Sequence, residues 1–230
     1  MAMTLTWLGQ GGFLLSIGGA SVCIDPYLSD NCERHGGHTR IAPPPMDPGK
    51  LDADVIVITH DHMDHLDELT LSRLDVSENL FAAPFLCRKH LMEIGVPEDR
   101  LLSFDRGDVF GIMDAELRAV YADHTEDSIG VLVKSGHHSI LFTGDSLYSE
   151  KLVEELKNIH PDVFVVCVNG RWGNMNEKEA ARLSHEIGAK LSIPTHYGMF
   201  AENTADPDDF VRAMNGENVK LLNMYEPVEL

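Results

Sequence analysis

The sequence predicts a single α/β domain over residues 1–230, with two β-sheets packed face to face and helices outside each. Three observations predict it. Strand-like apolar segments followed by helical ones recur in both halves of the chain. No shift in composition marks a linker between those halves. A hydrophobic content of 43% over 230 residues supplies the apolar side chains that so many strands must bury.

The first 25 residues read as three short strands, 4–8, 13–17 and 21–25, separated by glycine turns at 9–12 and at Gly18-Gly19, which makes an antiparallel meander. From 26 to 50 the composition shifts to Asp, Gly, His and Pro, including Ala42-Pro43-Pro44-Pro45, and no periodicity survives. A connection without structure of its own is expected there, of the kind that is either mobile or functional. Residues 53–59 then form an apolar strand that runs straight into a histidine cluster, and Leu66, Leu69 and Leu74 suggest a short helix. A strand at 80–83 leads into a helix at 84–93 that stops at Gly95. The stretch 109–121 alternates as a strand does. Residues 129–134 pair with 139–143 across Ser135-Gly136-His137-His138, and the hairpin ends on Gly144-Asp145. A helix at 149–160 puts Leu152, Val153, Leu156 and Ile159 on one face, followed by a strand at 162–168. Asn176 is placed to cap the next helix, with Glu179 three residues on and Gly188 as its stop. Asp206-Pro207-Asp208-Asp209 opens the last helix with a cap, a proline at the first position and acids in the first turn.

Charge narrows the partners. The chain carries 37 Asp and Glu against 18 Lys and Arg, a formal net charge of −19, so a surface that tracks phosphates, and with it nucleic acid, is not expected. A small-molecule substrate is. Cys23, Cys32, Cys87 and Cys167 are widely separated and form no CxxC pair, the pattern of reduced thiols in a cytoplasmic protein. The opening MAMTLTWLGQ has no basic stretch followed by an apolar run, so no secretion signal is expected. The longest apolar runs, such as 163–168, fall far short of the roughly 20 residues that span a bilayer, so membrane insertion is not expected either.

The chemistry concentrates in Thr59-His60-Asp61-His62-Met63-Asp64-His65. On a helix His60 and Asp64 would share a face while His62 pointed away, so the set makes sense only on a loop that curls around metal ions. Imidazole and carboxylate without thiolate favour zinc, manganese or iron over copper(I). Further candidates stand at apparent strand ends: His124 after 117–121, Asp145 after 140–143 and His196 after 191–194. Singly, the two histidines read equally well as polar loop residues and Asp145 as a helix cap. Together they complete seven ligands, enough for two ions. Asp25 before Pro26 reads equally as a turn-initiating residue or as the acceptor that fixes a ligand histidine's tautomer. Candidates for substrate recognition are Arg34, His35, His38 and Arg40 in the long loop, Asn169, Arg171 and Asn174 after the strand at 162–168, and Tyr197 beside the last ligand. Arg171 leads them, because its segment follows a buried strand and precedes a capped helix. Trp172 reads as a packed aromatic in preference to a pocket wall. The glycines at 9–12 read as a hairpin turn rather than a phosphate loop, since no helix follows.

The order HxHxDH, distal His, Asp, last His resembles the signature of the metallo-β-lactamase superfamily. Within it, Trp7-Leu8-Gly9-Gln10-Gly11-Gly12-Phe13, the form THDHMDH, Phe142-Thr143-Gly144-Asp145-Ser146, Asn169-Gly170-Arg171-Trp172-Gly173-Asn174 and Ile193-Pro194-Thr195-His196-Tyr197 resemble the branch containing L-ascorbate-6-phosphate lactonase. The resemblance implies a four-layer αββα sandwich. It also implies His60, His62 and His124 on one ion and Asp64, His65 and His196 on the other, bridged by Asp145 and a water. A hydroxide shared by two ions is available at neutral pH, because the pKa of bound water falls from about 15.7 to roughly 7. Asp64, close in sequence to both sets, is the candidate for orienting that nucleophile. The expected function is a dinuclear zinc or manganese hydrolase that opens a lactone or ester of a small anionic substrate, such as a sugar phosphate. The alternatives are a phosphodiesterase acting on a phospholipid or small nucleotide, a mononuclear iron oxidoreductase, and a metal-dependent binding or sensory protein without turnover. A complete ligand set argues against the last. The resemblance is also compatible with a homo-oligomer.

Overall fold

The computed structural model describes residues 3–230. β1 (Thr4–Gly9), β2 (Gly12–Ile17) and β3 (Ala20–Ile24) form the antiparallel meander that the glycine turns call for. After a 30-residue excursion that includes α1 (Asn31–His35), β4 (Val55–Val57) joins β3 in parallel. α2 (Glu68–Leu71), β5 (Leu80–Ala83), α3 (Phe85–Ile94) and β6 (Leu101–Ser103) follow, and β5 and β6 continue the parallel set.

The second sheet repeats the plan. β7 (Val109–Ile112), β8 (Ala115–Tyr121), β9 (Ile129–Ser135) and β10 (His138–Phe142) are antiparallel neighbours. α4 (Glu150–Leu156), β11 (Val163–Cys167), α5 (Glu177–Glu186) and β12 (Leu191–Thr195) then add two parallel strands. After α6 (Pro207–Ala213), β13 (Pro227–Glu229) crosses back and pairs with β1. The sheets therefore read β13-β1-β2-β3-β4-β5-β6 and β12-β11-β10-β9-β8-β7.

Alternation along the strands makes the layers. Val22, Ile24, Val55, Val57 and Ala82 face a core shared with Leu117, Ala119, Val131 and Val133 of the other sheet. Their neighbours Cys23, Ile56, Ile58, Phe81 and Ala83 point the opposite way, into a second core closed by Leu71, Cys87 and Leu91 of α2 and α3. β11 is buried at every position, as a parallel strand covered on both faces must be, with α5 against it. This is the αββα sandwich the sequence predicts.

Helix ends follow their local signals. The Asn176 side chain accepts from Lys178 N and Glu179 N while the Glu179 carboxylate accepts from Asn176 N. Asp206 caps α6 ahead of Pro207, and α3 stops at Gly95 with φ +109°.

Three expectations need correction. The 26–50 connection is not structureless: it carries α1 and a 3-10 turn at Pro48–Lys50, where the Asp47 side chain accepts from Gly49 N. The single strand expected at 109–121 is two, folded back at Met113 with φ +50°. β6 and β13, three residues each, were not expected at all, because so short a strand shows no alternation. No helix among the described residues is long and apolar enough to cross a membrane. All four cysteines are buried and free.

Candidate metal centre

Parallel register delivers the functional residues to one edge. Ile24 sits opposite Val57 and Val57 opposite Ala82, so Asp25 and the 59–65 loop leave the first sheet side by side. In the second sheet Phe142 is level with Val165 and Val165 with Ile193, so the segments carrying Asp145 and His196 leave together. His124 follows β8 at the same edge.

Ring nitrogens converge in two groups, His60, His62 and His124 with Asp145, and Asp64 with His65 and His196. In the first, His62 Nδ1 lies 3.0 Å from His60 Nε2 and 3.1 Å from His124 Nε2. In the second, His65 Nε2 and His196 Nε2 are 3.2 Å apart, with Asp64 Oδ2 3.8 and 3.7 Å from them. Asp145 faces both. Its Oδ2 is 4.0 Å from His60 Nε2 and 3.8 Å from His124 Nε2, while its Oδ1 is 3.3 Å from His65 Nε2 and 2.8 Å from His196 Nε2. That Oδ1 is buried and has no hydrogen-bond partner. His62 is exposed and Asp64 and His124 half-buried, so the centre opens on their side and closes over His60, His65, His196 and Asp145.

The donor set fits divalent cations. Ligands at about 2.0–2.1 Å from a tetrahedral zinc stand about 3.3 Å from one another, close to the nitrogen separations here. Lone pairs converging on one space at such distances, one of them on an orphaned buried carboxylate oxygen, call for a positive charge between them. Burial pushes His60 well below the ordinary imidazole pKa, helped by His65, and pushes His62 down as well. Both therefore present neutral donor nitrogens near neutral pH. Burial also opposes charge on His65, but Asp145, Asp25 and Asp64 outweigh it and raise that group well above its ordinary value. Burial opposes charge on Asp145 too, and His196 and His65 overcome it, so its carboxyl stays ionised.

Behind these groups lies a ring of supports. Asp25 Oδ2 is 2.7 Å from His65 Nδ1 and accepts from Thr59 Oγ1 at 2.6 Å, while its Oδ1 accepts from Thr59 N at 2.8 Å. Asp25 thus stands within hydrogen-bond reach of a candidate ligand histidine. The Gly173 carbonyl is 2.9 Å from His124 Nδ1 and fixes that ring in the same way.

Gln10 was missed by sequence reasoning. It is fully buried, and its Nε2 donates to Asp64 Oδ2 at 2.9 Å and lies 2.9 Å from His196 Nδ1. The only signal for it was its place in the Trp7–Phe13 motif, whose glycines drew attention instead.

The substrate candidates scatter around the mouth. Arg171 is exposed, with Nη1 donating to the Glu202 carbonyl at 2.8 Å. Arg40 is half-buried, bonded to the carbonyls of Ala42 and Ser29 and stacked 4.9 Å over the Tyr27 ring, with Nη2 buried and unpaired. Asn169 and Asn174 are buried; Asn169 Nδ2 donates to Asn203 Oδ1 at 2.7 Å, and the Oδ1 of each lacks a donor. Tyr197 packs its ring 4.8 Å from that of Trp7, and burial pushes its phenol up to about 12. Arg34 pairs with Asp30 at the surface and His35 is exposed. Trp172 is not the packed aromatic expected. It is 55% exposed, in the left-handed region at φ +52°, with its ring 4.8 Å from that of His38.

A family model described as "Beta-lactamase superfamily domain" matches residues 4–196. A metal-dependent hydrolase of Saccharolobus solfataricus is 31% identical over 235 residues, covering 98% of this chain and 95% of the relative. One of Sulfurisphaera tokodaii is 29% identical over 229 residues, covering 95% and 94%. Among solved structures, a metallo hydrolase from Ignicoccus hospitalis superposes with a TM-score of 0.78 at 20% identity, covering 100% of this chain and 99% of that one, a likeness of fold.

Proposed function

The chain belongs to the metallo-β-lactamase superfamily, and from that premise we propose that it is a metal-dependent hydrolase using two divalent ions, zinc or manganese, to open a lactone or ester of a small anionic substrate. The observation that carries this reading is Asp145, with one oxygen toward each of the two donor groups. His60, His62 and His124 would hold one ion and Asp64, His65 and His196 the other, with Asp145 shared. When bound, such a pair lowers the pKa of water and polarises the bond under attack.

The protein's own groups do the rest. His60 and His62, kept neutral by burial, donate without first releasing a proton at neutral pH. Asp25 and the Gly173 carbonyl hold the rings of His65 and His124 so that the opposite nitrogens face inward. Asp64, half-buried at the open side, orients the attacking water by accepting its hydrogen bond. Arg171, tied to Glu202 by one guanidinium nitrogen, keeps its remaining donors for a substrate anion such as a phosphate.

Metal analysis of the loaded protein should find about two ions per chain, and Asp145→Ala at most one held tightly. A well-loaded wild type with one ion would overturn the two-ion reading. A panel of lactones, carboxylic esters and phosphodiesters tests the substrate class; turnover of phosphodiesters alone would replace the ester reading. Arg171→Ala should lower kcat/KM for a phosphorylated lactone at least tenfold, about 1.4 kcal/mol, with metal content unchanged and much less effect on the unphosphorylated analogue. Equal loss on both substrates would mean that Arg171 does not read the phosphate.

A further inference from the structure

The β1–β2 turn is more than a hairpin connection. Its Gln10 carbonyl accepts from Trp7 Nε1 at 3.0 Å, from His196 N at 3.3 Å and from Thr195 Oγ1, so the turn is tied to the end of β12. A Cβ on Gly11 would stand 2.7 Å from His65 Cε1, so the turn lies flush against that ring and only glycine fits. The Gln10 Nε2 is 2.9 Å from His196 Nδ1 and 3.3 Å from Nε2 of the same ring, which places the amide against the imidazole rather than along one lone pair. Its other contact is the hydrogen bond to Asp64 Oδ2.

Two features of this residue oppose stability. Its backbone sits in the left-handed region at φ +50°, and its Oε1 is buried with no donor. None of its hydrogen bonds reaches His60, His62, His124 or Asp145. We infer that Gln10 is a positioning residue dedicated to the Asp64, His65 and His196 group, and that its amide sets how tightly an ion is held there. The inference rests on the two-ion reading above. Without the amide, Asp64, half-buried on its loop, is free to turn its carboxylate toward solvent, and that group keeps only the shared Asp145 as an oxygen donor.

The test is a cobalt(II) titration of wild type, Gln10→Met and Gln10→Glu, followed by visible absorption and by metal counting after dialysis. Circular dichroism of each protein reports folding. Gln10→Met keeps the volume and removes the N–H; Gln10→Glu keeps size and polarity but sets a carboxylate against Asp64. In both variants one ion should bind as in wild type and the other 10- to 100-fold more weakly, the usual cost of losing a partner behind a metal ligand. The absorption bands of the retained ion should be unchanged. Wild-type binding of both ions by both variants would overturn the role of Gln10. Equal weakening of both ions would show that the residue serves the fold as a whole, and would overturn it as well. A wild type that takes up a single ion would instead refute the two-ion reading, a distinct result because it needs no variant.

Discussion

At the scale of single residues, the side chains behind the donor groups matter as much as the donors. Asp25 serves Thr59 N, Thr59 Oγ1 and His65 Nδ1 from a fully buried position. Asp25→Ala should therefore weaken metal retention 10- to 100-fold, read by competition with a chelator of known affinity. Retention equal to wild type would mean that the carboxylate is dispensable to the centre. The seven proposed ligands were legible because histidines and aspartates after apolar strands have few other reasons to gather. Gln10 and the exposure of Trp172 were not. Of the nine non-glycine residues with positive φ among the described residues, Gln10, Asp25 and His196 stand at the centre, and Trp172 precedes Gly173, whose carbonyl meets His124. Backbone strain of this kind leaves no mark in composition or periodicity, since only glycine advertises a left-handed turn.

Among the elements, helices with strong terminal signals formed where the sequence placed them. Asn176→Ala removes the reciprocal cap of α5 and should cost about 1 kcal/mol in urea unfolding. α3 contributes a second device. Its His90 holds Asp61 by Nδ1 at 2.5 Å and Glu68 by Nε2 at 2.7 Å, tying the histidine-rich loop to α2. Burial opposes its charge, but the two carboxylates prevail and raise its pKa. A raised folded pKa means that the contribution is complete below the unfolded value, about 6.5, and disappears as pH rises through the folded one. The stability gap between wild type and His90→Ala should accordingly narrow as pH increases through that window; a gap that widens would refute the clamp. Short elements were illegible for a physical reason. α1 within 26–50 spans five residues, too few to show a helical period, and its buried Cys32 packs with Met199 and Phe200 far along the chain.

For the whole molecule, the two-sheet architecture followed from counting apolar strands, whereas the crossing of β13 to the first sheet did not. The shared core draws on both sheets and on α4, α5 and α6. We therefore expect one cooperative unfolding transition, with circular dichroism and tryptophan fluorescence superimposable; two separated transitions would divide the chain into independent units. A net charge of −19 repels an anionic substrate at long range, so its kcat/KM should rise as salt screens the field, while that of a neutral ester stays level. A fall with salt for the anion would show that local cations dominate.

The pairing of β13 with β1 joins residues more than 200 positions apart, and the strand it completes is the one that leads into Gln10. During synthesis β1 emerges ahead of the other described strands, and its outer edge waits, unpaired, for a partner more than 200 residues downstream. A nascent chain exposes that edge throughout elongation, where another strand can add to it. Contacts of such long sequence separation also close slowly. The two donor groups, drawn from positions 60 to 196, are thus completed in turn, the first once residue 145 has been made and the second only after residue 196.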